Sequence, residues 1–452
     1  MARFFGTDGV RGIANSQLTP EMVMRLGRVA GHLAVKEGHG KVLVGRDTRL
    51  SGEMLAAALM AGITSSGADA YDLGILPTPA IAYMCRILEA DLGAVISASH
   101  NPFDDNGVKF FDKDGFKLSD EQEDKIAAFI VDNKGNPIPD ILPRPTGAEI
   151  GRLLKIEDAK DIYSDYVIKT ATFSLAGYKI VLDCANGAAY EIAPKILESL
   201  GAELILINAD PSGKNINHSC GSTHPEQLKE AVMRSGAHLG IAHDGDADRV
   251  IFVDEKGELV DGDHQMAIVA LDLLEKEELP NNGIAVTVYS NLGLRDVIHK
   301  HGGIVHVTDN GDRYVLQEMR KNNLILGGEQ SGHIIYLQYN STGDGLISAI
   351  RLLEVLVRKS RPLSELSAQM PTFPQLLVNV RVKDKIKILE SDVVRQAIRK
   401  ATEELGKDGR LFVRPSGTES LVRVMGEAKD SVLVRKIVNE VAAAIASVDQ
   451  GD

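Results

Sequence analysis

The sequence has few cysteines and no long apolar segment. Its three cysteines, Cys85, Cys184 and Cys220, lie far apart among 452 residues and form no C-x-x-C pair, so a disulfide framework is not expected. No segment approaches the roughly 20 apolar residues that span a bilayer. The N-terminus, Met1-Ala-Arg-Phe-Phe-Gly-Thr-Asp8, runs directly into glycine and charge and has no apolar stretch like that of a signal peptide. We therefore expect a cytoplasmic protein with no membrane partner.

Basic residues and several well-known motifs are also scarce or missing. The 63 acidic residues outnumber the 50 basic residues and give a net charge of −13, so a general nucleic-acid-binding surface is not expected. The sequence contains no G-x-S-x-G, no G-x-x-x-x-G-K-[ST] and no G-x-G-x-x-G. These absences argue against a serine hydrolase of that class, a phosphate-loop nucleotide site and a dinucleotide cofactor.

Short apolar runs alternate with amphipathic stretches along most of the chain. A strand at residues 41–45, a helix at 52–65 and a strand at 69–73 begin the first cycle, which predicts βαβ units. The pattern restarts near residues 179 and 261. The fold class is therefore predicted to be α/β, with three similar α/β domains with mixed sheets, a smaller C-terminal α+β domain and the site in the central cleft. The expected domains are residues 1–145, 146–255, 256–365 and 366–452.

A polar segment, Ser97-Ala-Ser-His-Asn-Pro102, follows a predicted buried strand. Its Asn-Pro pair turns the chain away from regular structure, and the C-terminal ends of strands are where α/β folds bind ligands. The segment is either a polar turn or the place where Ser99 carries a phosphoryl group. A phosphoserine beside a cation would be a phosphoryl donor.

Three aspartates alternate with small residues in Asp244-Gly-Asp246-Ala-Asp248-Arg249. At ~4 Å and an effective dielectric of ~20, each pair of carboxylates costs about 4 kcal/mol, so their convergence requires protonation or a divalent cation. An all-oxygen set favours Mg²⁺ or Mn²⁺ over Zn²⁺. A calcium-binding EF-hand loop is rejected because Arg249 stands where that loop needs glycine. A solvated acidic turn is the alternative.

Two further loops combine glycine with polar side chains. The first of them is Gly327-Gly-Glu329-Gln-Ser331-Gly-His333. It is predicted to be either a binding site, for sugar hydroxyls or for an amine, or else an ordinary hairpin loop. Arg414-Pro-Ser416-Gly417-Thr418, with Arg423 beyond it, predicts either an anion-binding nest or a surface turn.

Two basic residues could support the Ser99 site. Arg11 belongs to the glycine-punctuated segment Gly6–Gly12 and could reach a phosphate. Asn106-Gly107 predicts a hairpin turn, followed by a strand that contains Lys109. Taken alone, Lys109 is interpreted as a surface lysine. Each predicted domain contributes one of the four loops, so together they describe a cleft between domains.

These motifs and their order resemble the α-D-phosphohexomutase superfamily, and within it most closely the bacterial phosphoglucosamine mutases. The likeness covers essentially the whole chain, from Gly6-Thr-Asp-Gly-Val-Arg-Gly12 to the last domain. The resemblance implies an isomerase that interconverts glucosamine 6-phosphate and glucosamine 1-phosphate. It further implies a phosphoserine enzyme, a 1,6-bisphosphate intermediate, one Mg²⁺ per chain, an activating phosphate on Ser99, and a homodimer as a family-level expectation.

The resemblance also implies residue roles. Ser99 is similar to the phosphoserine, and Asp244, Asp246 and Asp248 to the Mg²⁺ ligands, with a phosphate oxygen of phospho-Ser99 completing the set. The residues similar to groups near the transferring phosphoryl group are Arg11, His100, Lys109 and Arg249. Those similar to substrate-binding residues are Glu329, Ser331, His333, Arg414, Ser416, Gly417, Thr418 and Arg423.

Some alternatives remain open at this point. The acceptor for the proton of the attacking hydroxyl is not identified, and Lys109, His333 and His100 are the candidates in that order. The same chemistry on another sugar, as in a phosphomannomutase or phosphoglucomutase, is the nearest rival. A non-catalytic module that binds a sugar phosphate is the other, although a pure binder does not need a phosphorylatable serine.

Overall fold

A computed structural model describes residues 4–6, 8–35, 40–132, 134–416 and 420–450. The described residues fall into two compact units. Residues 290–300 and those from 370 onward form the second unit, and the residues before 290 together with 301–369 form the first. Within the described part of the chain, no helix has the length and apolar character required to cross a membrane.

Eighteen strands and fifteen α-helices make up these units. The strands are β1 (Val10–Ile13), β2 (Lys41–Arg46), β3 (Asp69–Ile75), β4 (Leu92–Ile96), β5 (Asp105–Asp112), β6 (Leu153–Lys155), β7 (Lys179–Asp183), β8 (Glu203–Ile207), β9 (Leu239–His243), β10 (Val250–Asp254), β11 (Leu259–Val260), β12 (Gly283–Thr287), β13 (Ile304–Thr308), β14 (Leu326–Gly328), β15 (Ile334–Tyr336), β16 (Gln375–Arg381), β17 (Gly409–Pro415) and β18 (Leu421–Ala428). The helices are α1 (Pro20–Ala34), α2 (Gly52–Thr64), α3 (Thr78–Ile87), α4 (Asp120–Ala127), α5 (Ala159–Thr170), α6 (Ile192–Ser199), α7 (Glu226–Ser235), α8 (Gly262–Glu275), α9 (Leu292–Lys300), α10 (Asp312–Lys321), α11 (Gly345–Lys359), α12 (Leu363–Ser367), α13 (Lys385–Glu390), α14 (Asp392–Leu405) and α15 (Ser431–Gln450).

The first unit contains three mixed sheets. Their strand orders are β1-β5-β4-β2-β3-β6, β11-β10-β9-β7-β8 and β13-β12-β14-β15. In each sheet the central strands run parallel and antiparallel strands join at one side. Every residue of β4, β9 and β12 is buried, as expected for parallel strands covered on both faces. The predicted fold class with mixed sheets is confirmed.

The second unit is a smaller α+β structure. Its antiparallel sheet has the order β16-β18-β17, and its core consists of apolar side chains from this sheet together with α14 and α15. Helix α14 spans Asp392–Leu405, the range that the periodicity of the sequence predicts. The expectation of a smaller C-terminal α+β domain is therefore confirmed.

The hairpin turn predicted at Asn106-Gly107 is wrong. Both residues lie inside β5, where Gly107 pairs with Arg11 of β1. A Cβ on Gly107 would lie 2.7 Å from the carbonyl oxygen of Ser97 and 2.9 Å from Cγ of Arg11. The glycine therefore permits a close approach of neighbouring segments, and it does not serve a turn. Because β1 and the segment that follows β4 lie on either side of β5, Arg11 and Ser97 both border Gly107.

Strand β6 is the edge strand of the first sheet and pairs in parallel with β3. The first sheet thus takes up residues as far as Lys155. The four domain limits given above stay a prediction.

Candidate active site

Ser99 lies directly beyond β4 and is only 1% exposed. Its backbone has a φ of +52°, in the left-handed region that residues other than glycine rarely adopt. The Ser99 hydroxyl donates a hydrogen bond to Oδ2 of Asp244 at 2.8 Å, and its N–H donates to Oγ of Ser97 at 2.9 Å. The Nδ1 atom of His100 is 3.5 Å from the Ser99 hydroxyl. The loop therefore presents Ser99 to a carboxylate of the next sheet.

The three predicted aspartates follow β9 and are buried together. One carboxylate oxygen of each residue lies within 4.8 Å of the others. Asp244 is 1% exposed and Asp246 is 0% exposed, so the solvated acidic turn considered above is not what the chain forms. Burial and the two neighbouring carboxylates raise the pKa of Asp244 well above its usual value. Such crowding is unfavourable without a cation.

The donor set fits a hard divalent cation. Among the described residues, Oδ1 of Asp246 has no hydrogen-bond partner although it is buried, and an uncompensated buried oxygen is costly. The other oxygen of Asp246 accepts hydrogen bonds from the Thr78 hydroxyl at 2.6 Å and from Nζ of Lys109 at 2.8 Å. Thr78 and Lys109 thus fix one carboxylate oxygen and leave the second for a ligand. Oxygen-only sites of this kind suit Mg²⁺.

Lys109 is 2% exposed, so its interpretation as a surface lysine is wrong. Strand β5 is central in its sheet, and the side chain points towards the three carboxylates. Its Nζ atom is 3.0 Å from Oδ2 of Asp8 and 3.8 Å from Oδ2 of Asp248. Burial acts to lower the pKa of Lys109, but Asp246 and Asp8 outweigh it and the pKa is raised. The lysine is therefore a cation held among carboxylates.

The loop between β14 and β15 is a hairpin loop in structure, and it reaches the aspartates through His333. The N–H of Glu329 donates to the carbonyl oxygen of His333 at 3.0 Å, and the Ser331 hydroxyl donates to Oε2 of Glu329 at 3.3 Å. His333 is 3% exposed, and its Nδ1 atom lies 3.6 Å from Oδ1 of Asp248. A Cβ on Gly332 would lie 2.1 Å from the carbonyl oxygen of Val250, so this glycine lets the loop rest on β10.

These loops surround a cavity of about 150 Å³. Arg249 lines it, with Nε 3.9 Å from Oδ1 of Asp248, and Arg11 forms an ion pair with Asp8 at the same place. The residues that line the cavity are Asp8, Lys117, Asp248, Arg249, Asn310, Gly311, Asp312, Glu329 and His333. The first unit therefore brings predicted residues of the aspartate loop and of the Glu329–His333 loop to one small polar space, and Ser99 joins them through its hydrogen bond to Asp244.

Three charged residues of this site were not identified from the sequence. Nζ of Lys117 lies 2.7 Å from Oδ1 of Asp8 and 2.6 Å from Oδ2 of Asp312. Burial acts against the charge of Lys117, but Asp312 and Asp8 outweigh it and raise its pKa. Asp8 lies inside the glycine-punctuated segment that was noted for Arg11, so it could have been included. Neither Lys117 nor Asp312 belongs to a motif, and only the tertiary fold joins them.

We expect Lys117→Met to lower kcat/KM for the sugar phosphate that the family resemblance implies, at least about tenfold. The mutation leaves Asp8 and Asp312 without the cation between them, and it shifts the walls of the cavity. Steady-state kinetics on the purified variant checks this. Lys113→Met is the matched control, since Lys113 lies in the same loop but is 67% exposed and pairs with Asp114. Equal kinetics for the two variants would contradict a role for Lys117.

The fourth loop belongs to the second unit and is described by itself. Arg414 on β17 and Arg423 on β18 are directly opposite in the antiparallel register, so their side chains lie on the same face of the sheet. Ser416 is 3% exposed and its N–H donates to the carbonyl oxygen of Leu421 at 2.9 Å. Gly417 and Thr418 lie outside the described residues. The paired arginines provide the planar donors that suit a phosphate.

The pKa directions distinguish the three candidate proton acceptors. Burial, together with Arg249 and Arg11, lowers the pKa of His100 to about 4. Burial acts to lower the pKa of His333, but Asp248 outweighs it and the pKa is raised. The pKa of Lys109 is raised as well. The raised pKa values favour the protonated forms of Lys109 and His333, whereas His100 is neutral, but a pKa of about 4 also makes His100 a weak base.

Comparison with known proteins places this chain in a family. Models described as phosphoglucomutase/phosphomannomutase match the chain in four parts: alpha/beta/alpha domain I at residues 2–136, domain II at 161–257, domain III at 261–373 and the C-terminal domain at 377–444. The chain belongs to the phosphoglucomutase/phosphomannomutase family. The expected family and its four-domain architecture are confirmed.

Individual family members are similar over nearly the full length. A protein from Carboxydothermus hydrogenoformans named phosphoglucosamine mutase is 54% identical over 98% of this chain and 99% of its own. The crystal structure of a family protein from Burkholderia thailandensis has a TM-score of 0.83 and 26% identity, and the alignment covers 100% of this chain and 99% of that chain. The structure of Aspergillus fumigatus N-acetylphosphoglucosamine mutase in complex with GlcNAc-6P and magnesium has a TM-score of 0.71 and 19% identity, over 98% and 96% of the two chains.

Proposed function

We propose that this phosphohexomutase interconverts glucosamine 6-phosphate and glucosamine 1-phosphate through a phosphorylated Ser99 and a 1,6-bisphosphate intermediate. The observation that carries the proposal is the hydrogen bond of 2.8 Å from the Ser99 hydroxyl to the buried carboxylate cluster. A phosphoserine there would lie beside a cation site and the ammonium of Lys109. The phosphoglucosamine mutase relative at 54% identity supports the choice of amino sugar.

The reaction consists of two phosphoryl transfers. First, the Oγ–P bond of phospho-Ser99 breaks, a bond forms between O1 of glucosamine 6-phosphate and phosphorus, the O1 proton passes to a base, and Oγ of Ser99 takes up a proton. The bisphosphate then reorients so that its 6-phosphate faces Ser99. In the second transfer the Ser99 hydroxyl gives its proton to a base, the O6–P bond breaks, the phosphoryl group returns to Oγ of Ser99, and O6 takes up a proton. The products are glucosamine 1-phosphate and the phosphoenzyme, so no other reactant is consumed.

One Mg²⁺ per chain would be held by Asp244, Asp246 and Asp248 together with the phosphate on Ser99. When bound, Mg²⁺ supplies positive charge that offsets the repulsion between these carboxylates and the phosphoryl group.

The remaining charged groups stabilise the transferring phosphoryl group. We propose that Lys109, Arg249 and Arg11 place positive charge around Ser99, because phosphoryl transfer is catalysed mainly by positioning and electrostatic stabilisation. Lys109, His333 and His100 are the candidate acceptors of the proton of the attacking hydroxyl. Glu329, Ser331 and His333 would bind the sugar, and a second set would hold the phosphate that does not react, namely Arg414, Ser416, Gly417, Thr418 and Arg423.

Several expectations concern the whole protein. We propose a cytoplasmic enzyme whose partner is a phosphosugar, with no nucleic-acid or membrane partner. The homodimer and the domain limits at residues 145, 255 and 365 stay predictions of the sequence and the family resemblance.

The substrate is tested by kcat/KM for glucosamine 6-phosphate, glucose 6-phosphate and mannose 6-phosphate, with phosphorylated enzyme, Mg²⁺ and trace bisphosphate. We expect a preference for the amino sugar of at least about tenfold, which corresponds to ~1.4 kcal/mol of differential transition-state binding. A preference for a neutral hexose would retain the serine and the metal site but contradict the proposed substrate. Binding without turnover of any of the three would indicate a non-catalytic module.

A further inference from the structure

A buried arginine, Arg49, donates hydrogen bonds to the main chain of the Ser99 loop. The side chains of Arg49 and of its ion-pair partner Asp47 are both 0% exposed, and Nε of Arg49 is 2.8 Å from Oδ2 of Asp47. The two terminal nitrogens of Arg49 point at main-chain carbonyl oxygens of the loop. Nη2 donates to those of Ser99 and Asn101, both at 2.8 Å. Nη1 donates to that of Asp105 at 3.1 Å and to that of Pro102.

These contacts use all five N–H groups that a guanidinium possesses. Arg49 therefore has no donor left for a phosphate or a sugar, and its charge is paired with Asp47. Its function must be exerted through the backbone that it holds. A lysine could not replace it, because a single ammonium lacks the planar set of donors that reaches four carbonyl oxygens at once.

Asp47 fixes the N–H of Ser99 through the Ser97 side chain. Its Oδ2 atom accepts a hydrogen bond from the Ser97 hydroxyl at 2.6 Å, and Oγ of Ser97 in turn accepts the N–H of Ser99 at 2.9 Å. Both main-chain polar groups of Ser99 are thus set by the Asp47–Arg49 pair, with Asn217 adding a hydrogen bond of 2.8 Å to the carbonyl oxygen. A serine whose backbone lies in the left-handed region, here with a φ of +52°, persists only where its surroundings fix it in this way.

We propose that Asp47 and Arg49 are positioning residues for phosphoryl transfer, which hold Ser99 in the conformation that aims its hydroxyl at the aspartate cluster. The inference rests on the proposed function of Ser99. The same network also separates the two serines of the loop. The Ser97 hydroxyl is spent on Asp47 and on the N–H of Ser99, so Ser99 alone is presented for phosphorylation.

Arg49→Lys and Ser97→Ala test this inference, with Arg28→Lys as the matched control. Arg28 is 2% exposed like Arg49; it pairs with Asp140 at 2.7 Å and donates to the carbonyl oxygen of Leu142 at 3.0 Å. It therefore makes the same kind of contacts away from the Ser99 loop. For each full-length variant we would measure kcat, KM for glucosamine 6-phosphate, the rate at which glucosamine 1,6-bisphosphate phosphorylates Ser99 by intact mass, and the melting temperature.

We expect Arg49→Lys to lower kcat and the rate of Ser99 phosphorylation about 100-fold, because a displacement of ~1 Å at a reacting atom costs about that factor. KM should change less than about threefold. Ser97→Ala should lower the same two rates about tenfold, with KM unchanged. Arg28→Lys should lower the melting temperature as Arg49→Lys does, while its kcat stays within about threefold of the wild type.

Unchanged rates in a folded Arg49→Lys would overturn the inference, as would an equal fall of kcat in Arg28→Lys. If Arg49→Lys does not fold, Ser97→Ala decides, since it removes one hydroxyl without leaving a buried charge unpaired. A wild-type protein that shows neither phosphorylation nor turnover would contradict the proposed function instead, which keeps the two failures distinct.

Discussion

Replacement of Ser99 by alanine is expected to abolish turnover, with a loss of at least about 10⁴-fold in kcat, the scale observed when a covalent catalytic group is removed. The hydroxyl oxygen is the atom that would carry the phosphoryl group between the two ends of the sugar. The neighbouring Ser97 hydroxyl does not replace it, because it donates to Asp47, whereas the Ser99 hydroxyl donates to the aspartate cluster. Activity assays and intact mass with and without the bisphosphate check this prediction.

The control for this experiment is Ser97→Ala in the same loop. It keeps the Ser99 hydroxyl, so it should still gain the mass of one phosphate, and its loss of kcat should be about tenfold. Binding of glucosamine 6-phosphate to Ser99→Ala should remain, because the predicted sugar-binding residues belong to other loops. Turnover of Ser99→Ala at the wild-type rate would exclude the phosphoserine mechanism.

Elements with strong periodicity could be predicted closely from the sequence. Strand β7, helix α10 and helix α14 have the limits that their sequences predict, 179–183, 312–321 and 392–405, because a short continuous apolar run or an amphipathic face specifies such elements locally. Strand β6 could not be predicted, since it has three residues of which two are exposed. Helix α1 begins with recognisable signals, a Thr19 side chain that accepts the Met22 N–H and a proline at the first turn, which our interpretation of the sequence did not use.

The residues of the site also divide into those that a sequence motif indicates and those that only the fold brings together. Ser99 and Asp244 belong to short motifs whose residue types already indicate their chemistry, and the fold brings them into direct contact. Lys117 and Asp312 are 195 residues apart in the sequence, and no local pattern predicts that they form an ion pair. Arg49 was missed for a related reason. Its partners are backbone carbonyl oxygens, which every residue possesses, so no residue type in the sequence marks the contact.

Removal of the divalent cation is expected to stop turnover and also to destabilise the fold. A cation at 100 times its Kd stabilises the native state by about 2.7 kcal/mol. We therefore expect EDTA to lower the melting temperature of the wild type and Mg²⁺ to restore both stability and activity. In Asp244→Asn the Mg²⁺-dependent rise in melting temperature should disappear, and kcat/KM at limiting Mg²⁺ should fall at least about 100-fold, because loss of even a group that only supports a metal ligand costs up to that factor.

In the metal-free protein, Asp244 is expected to destabilise the folded state as the pH rises, instead of stabilising it through a cation. Burial, Asp248 and Asp246 raise the pKa of Asp244, so the folded state holds a proton that the unfolded chain releases near the ordinary value of 3.8. The unfolding free energy of the metal-free wild type therefore loses a contribution as the pH rises from that value through the raised pKa.

An asparagine at position 244 does not titrate, so in EDTA the Asp244→Asn variant should be more stable than the wild type, by a margin that grows from pH 4 towards pH 7. Thermal unfolding of both proteins at several pH values measures this margin.

Asp254→Asn is the control. Asp254 is also buried in this sheet, but it accepts the N–H groups of Lys256 and Glu258, both at 2.9 Å. That variant should lose stability and keep its response to Mg²⁺. Identical unfolding of Asp244→Asn and the wild type in EDTA at every pH would show that the three carboxylates do not repel one another, and the reason for a cation at this position would be lost.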